Sequence, residues 1–172
     1  MKQNSNSRLA EAHYPFETQL MNQRITPSAG QTLWVVGHRV TILTAGKDYT
    51  YVDVFSPAHT PGPPPHRHTD CDEFFHIVDG RVDFEVGQER MQLGPGESVL
   101  VPRNTVHTFC PASESGSRVI TIFNPGGFGR WFRDMGVPAD EPNGRELSMG
   151  QELIGRILRE SIRYHMEIVD AQ

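Results

Sequence analysis

Cysteine is scarce in this chain: two occur in 172 residues, Cys71 and Cys110. So sparse a pair is no disulfide framework, and the expectation is a reducing compartment, the cytoplasm. Long apolar runs are also lacking, and no segment approaches the roughly 20 residues a membrane-spanning helix needs. The opening Met1-Lys2-Gln3-Asn4-Ser5-Asn6-Ser7 has no apolar stretch behind it, so a signal peptide is not expected here. Positive charge is in deficit as well. The formal net charge is −5 and no basic cluster interrupts the sequence, which argues against nucleic acid or an anionic membrane as partner. Small molecules remain.

What the chain does have is turn chemistry. Sixteen glycines and 13 prolines accompany a modest apolar fraction of 37%, as an all-β domain requires. The length suits one domain with a real core. Residues 1–30 are polar and uneven and read as an arm, either disordered or exchanged with a partner subunit. From Thr32 short strand-like runs follow one another: Leu33 to Val36, Arg39 to Leu43, Tyr49 to Phe55. Arg81 to Val86 alternates with period two and turns at Gly87-Gln88 into Glu89 to Leu93, a hairpin. Glu97 to Val101, Thr108 to Cys110 and Arg118 to Phe123 complete the series. Short strands at such regular intervals predict a barrel or sandwich over residues 31–125.

Residues 126–172 differ. Phe128 to Met135 predicts a short aromatic helix, and Pro138 to Arg145 a linker. Ser148-Met149-Gly150-Gln151 has the form of a capping box. Behind it Ile154, Ile157, Leu158, Ser161, Ile162 and His165 recur at helical spacing, predicting a packing helix, with a terminal strand from Met166 to Val169. These elements read as structure rather than chemistry.

One stretch carries chemistry: His66-Arg67-His68-Thr69-Asp70-Cys71-Asp72-Glu73. In a strand, alternate side chains share a face, so His66 and His68 point the same way with Cβ atoms about 6–7 Å apart, suited to one metal ion. Glu73 lies an odd number of residues further on, so a break in the strand is needed to bring it to the same side. Preceding the pair, Pro61-Gly62-Pro63-Pro64-Pro65 is stiff and extended and reads as a delivery segment for His66.

Here the sequence resembles the cupins. Gly62, His66, His68, Glu73 and Gly80 fit their first motif, and Gly96, Pro102, Asn104 and His107 their second, with no gap forced. The Pro-rich lead-in and the segment Phe123 to Phe128 resemble those of quercetin 2,3-dioxygenase-like cupins. The resemblance runs from about Leu33 to Met135. It implies a double-stranded β-helix, or jelly-roll, barrel with His66, His68, Glu73 and His107 on one divalent metal ion. Three neutral nitrogens and one carboxylate leave a net charge near +1, and iron, nickel, manganese, copper and zinc all suit such a set. Burying these four together without a cation would be costly.

Phe75 and Ile77, on the face of Glu73, together with Phe84 and Phe109, are expected to line an apolar substrate pocket. Cys71 reads as a small filler and Cys110 as core; His76 should face away, and His13, His38, His59 and His165 have no ligand-like spacing. The resemblance implies a metal-dependent dioxygenase on a small aromatic or enol substrate, with Glu73 also the base for the substrate hydroxyl. A cupin isomerase or lyase and a non-catalytic small-ligand sensor are the alternatives, because this fold hosts all three. The length excludes a two-barrel arrangement within these residues, so a homodimer is expected.

Overall fold

The computed structural model describes residues 32–169; the arm expected over residues 1–30 lies outside them. Twelve short strands build two antiparallel sheets that face each other. Strands β1 (Thr32–Val35) and β2 (His38–Ala45) meet at a tight turn in which Val36 and Gly37 both take left-handed φ, 49° and 82°. Next come β3 (Thr50–Ser56), β4 (His66–His68) and β5 (Asp72–Asp79). The hairpin of β6 (Val82–Val86) and β7 (Glu89–Leu93) follows as its alternation requires. Then come β8 (Ser98–Val101), β9 (His107–Pro111) and β10 (Ser117–Asn124). Beyond the barrel lie β11 (Val137–Pro138) and β12 (Met166–Ile168).

The larger sheet has the order β11-β1-β2-β3-β10-β5-β8 and the smaller one β12-β4-β9-β6-β7. Period-two alternation makes the interior. In β10, Ser117, Val119, Thr121 and Phe123 turn inward, while the residues between them face outward. The chain crosses from the smaller sheet to the larger between β4 and β5, at Thr69-Asp70-Cys71. This is the break that Glu73 needed. Cys71 is buried in the core as a filler, whereas Cys110, expected in the core, is exposed on β9.

Three helices follow the barrel: α1 (Gly129–Met135), α2 (Gly144–Ser148) and α3 (Gln151–Glu160). The expected linker from Pro138 to Arg145 is more ordered than composition suggested, since β11 pairs with β1 and α2 begins at Gly144. The expected capping box does not form. Ser148 ends α2, and its hydroxyl donates to Arg145 O (2.7 Å) while accepting from the Gly37 amide (2.9 Å), so Gly150 stands at the N-cap of α3. The apolar face of α3 is narrower than its periodicity implied: Ile157 is buried, but Leu158 and the following Ile162 are 51% and 56% exposed.

Close approach fixes one motif glycine. A Cβ on Gly62 would stand 1.8 Å from the Phe109 carbonyl oxygen, so the Pro-rich segment lies against β9 only because this residue has no side chain. Gly62→Ala is expected to lower stability by more than about 2 kcal/mol in urea denaturation. Gly46→Ala, whose added carbon would meet nothing nearer than 3.7 Å, serves as the control and should cost less than half as much. Equal losses in the two variants would refute the packing argument.

Candidate metal centre

β4 carries His66 and His68 on its inner face, β5 carries Glu73, and His107 opens β9 directly opposite His66. One donor atom from each lies within 4.8 Å of every other, and all four residues are buried. The cluster could hold one ion. The segment between β8 and β9 holds the arrangement from outside. Asn104, at φ 66°, donates its backbone amide to His68 O (2.7 Å), and the Arg103 side chain grips Asp72 beside Glu73.

The donor chemistry fits a cation. His66 Nδ1 faces Pro64 O at 3.0 Å and His107 Nδ1 faces Thr105 O at 3.0 Å. A carbonyl only accepts, so each Nδ1 carries the proton and each Nε2 presents a lone pair to the centre. Yet Glu73 Oε2 stands 2.9 Å from His107 Nε2 and 3.1 Å from His68 Nε2. The His107 lone pair this close to a buried carboxylate needs positive charge between them, either a proton or a metal ion. Burial alone would raise the Glu73 carboxyl, but hydrogen bonds from His107 and His68 outweigh it and hold the group below the usual carboxylate range. For His107, burial opposes the charged form and the Glu73 hydrogen bond overcomes it. His66 goes the other way, lowered to about 3 by burial and then by its two histidine neighbours. His68 Nδ1 is buried without a partner.

Beside the cluster lies an apolar cavity of about 90 Å³. Its outline differs from the expected pocket. Phe75 and Phe109 line it, but Ile77 and Phe84 belong to a second core cluster, with Phe84 packed on Phe75 at 5.1 Å. There the side chains pack on one another as core. Other walls had no signal in residue spacing: Val52 and Val54 of β3, His38 of β2, and Phe128 and Trp131 from the C-terminal segment. His76 faces outward, bonded to Ser98 Oγ (2.8 Å).

His38 is a fourth buried histidine in this interior. Its Nε2 donates to Pro61 O (3.1 Å), so Nδ1 accepts from Ser56 Oγ (2.8 Å). Burial lowers its pKa from 6.5 to about 4, the Pro61 bond opposing and the Arg145 charge assisting. A folded pKa below the unfolded value means the unfolded chain takes the proton first, so stability is full above pH 6.5 and is lost as pH falls towards 4. At ~1.4 kcal/mol per pH unit the loss is about 3 kcal/mol. The measurement is urea denaturation at several pH values, with His38→Gln expected to flatten the acid limb by this amount. An unchanged acid limb would contradict the assignment.

Residues 54–123 match the family described as "Cupin domain". Quercetin 2,3-dioxygenase of Bacillus subtilis is 32% identical over 73 residues, which are 42% of this chain and 21% of that protein. An uncharacterized protein of Streptomyces coelicolor is 39% identical over 54 residues, 31% of this chain and 50% of its own. The chain therefore spans about a fifth and a half of these curated relatives. An RmlC-like cupin from Shewanella frigidimarina superposes with a TM-score of 0.51 at 17% identity, covering 67% of this chain and 93% of that one. Streptomyces Pac13, described as a unique nucleoside dehydratase, gives 0.52 at 16% identity, covering 60% and 82%. At such identities the likeness is one of fold. No helix among the described residues is long and apolar enough to cross a membrane. With both motifs in place and the two-sheet topology around them, residues 54–123 of this chain form a region that matches the cupin domain.

Proposed function

We propose that the protein is a metal-dependent oxidoreductase, a dioxygenase acting on a small aromatic or enol substrate. The observation that carries this reading is the convergence of three imidazoles and one carboxylate beside an apolar cavity. The partial likeness to quercetin 2,3-dioxygenase supports the choice of reaction.

His66, His68, Glu73 and His107 would hold one divalent ion of iron, nickel, manganese, copper or zinc. Such an ion supplies Lewis acidity and a template for an oxygen-bearing substrate. The chain's own groups do the rest. The Pro64 and Thr105 carbonyls fix two imidazole rings in orientation and tautomer. Glu73 takes the proton of the substrate hydroxyl on a carboxylate oxygen; the imidazole contacts that hold its pKa down must loosen as it does so. Phe75 and Phe109 keep water from the reacting carbons. In the balanced reaction both atoms of dioxygen enter the product, a carbon–carbon bond of the substrate is cut, and the substrate supplies the electrons.

The test joins metal analysis of the isolated protein to oxygen-electrode assays against catechols and enols. Bound divalent metal and oxygen uptake are expected in the wild type. His107→Ala should retain less than about a tenth of the metal, and Glu73→Gln should lower oxygen uptake at least about 100-fold. Metal-loaded protein that binds these compounds and consumes no oxygen would replace this reading with the non-catalytic binding module.

A further inference from the structure

The cavity beside the four ligands measures about 90 Å³. An apolar cavity that accepts benzene measures about 150 Å³, so the space directly beside the ligands is smaller than one aromatic ring needs. Part of it would go to the ion and the oxygen atoms bound to it.

The wall that sets this size lies outside the residues that match the family, which end at 123. Phe128, Trp131 and Phe132 close the cavity from α1 and its approach, and Met166 closes it from β12. Phe128 stacks on Trp131 (centroids 5.2 Å, planes 14° apart) and meets His68 edge-on at 4.5 Å. Trp131 is locked from behind: its Nε1–H donates to Ser161 Oγ (2.9 Å), and Ser161 donates to Ile157 O (2.7 Å). Met166 is held by the pairing of β12 with β4, directly opposite His68. This wall cannot swing aside without breaking those bonds.

Polarity narrows the choice further. Apart from the ligands, the polar lining residues are His38 and Thr121, and both His38 ring nitrogens already have partners. No lysine or arginine lines the cavity. A second carboxylate, a phosphate or a sugar would lose its water and find no free side-chain partner but the Thr121 hydroxyl.

We propose that the wall of Phe128, Trp131, Phe132 and Met166 determines specificity, admitting a small, singly anionic oxygen chelator with a short aliphatic body. A short-chain enol or 2-oxo acid is of this class, so of the two substrate classes proposed above this wall favours the enol over the aromatic. The chelating half of the assignment rests on the metal reading above; the size limit does not.

The experiment uses protein as isolated, with two probe series followed by methyl NMR shifts and thermal midpoint. One series is 2-oxo acids, from 2-oxobutyrate to indole-3-pyruvate; the other is uncharged apolar probes, from cyclopropane to naphthalene. In the wild type the bulky member of each series is expected to bind at least tenfold more weakly than the small one. Trp131→Ala should recover that tenfold, and Met166→Ala, which opens the wall from the other element, should do so if Trp131→Ala does not fold. Indole-3-pyruvate or naphthalene binding the wild type as tightly as the small probes, or cut-offs that stay fixed in a folded variant, would overturn the proposal. Failure of the metal reading looks different: the 2-oxo acids would not bind, while the apolar series would keep its cut-off.

Discussion

A buried carboxylate oxygen within 3.1 Å of two imidazole nitrogens is the constraint on which this interior depends. Glu73 and His107 come from different sheets, so their contact spans the barrel as well as forming the site. Taken from water without compensation, an ionised carboxylate costs several kcal/mol or more, and a single imidazole does not offset that. A cation shared among the four does. The carbonyls of Pro64 and Thr105 make the arrangement directional, because they decide which ring nitrogen keeps its proton.

The elements around the cluster follow from that need. The Pro-rich segment supplies backbone carbonyls to His66 and Thr108 and lies on β9 through a glycine. The turn after β8 bonds to His68 O through a left-handed asparagine. On the other side, β12 pairs with β4, the Arg67–Glu167 ion pair joins their exposed faces, and Phe128 packs on His68. The C-terminal segment therefore serves the site twice, bracing the histidine strand and closing the cavity beside it.

Legibility in the sequence followed the range of the interaction. His66 and His68 could be placed on one face because strand alternation is local, and the break before Glu73 followed from parity alone. The hairpin of β6 and β7 was equally plain. Where long-range contacts decide, local pattern misled. Ser148 looks like a helix cap, but its hydroxyl is taken by the Gly37 amide, 111 residues away. Ile77 and Phe84 share inward faces with pocket residues, yet how far along the barrel the cavity extends depends on packing that no single strand encodes. His38 and Trp131 have no spacing relation to the ligands, and only the closed sheets bring them to the same space. Leu158 and Ile162 keep helical periodicity although only the Ile157 side of α3 is covered.

The central claim is that three imidazoles and one carboxylate form the first coordination sphere of a single ion. X-ray absorption at the metal edge of the purified protein reads this directly. The account predicts scattering from three imidazole rings with oxygen completing the sphere, and no sulfur, since burial and then the neighbouring acids push the Cys71 thiol up and disfavour its thiolate. A sulfur shell, or fewer than three imidazoles on the ion, would contradict it.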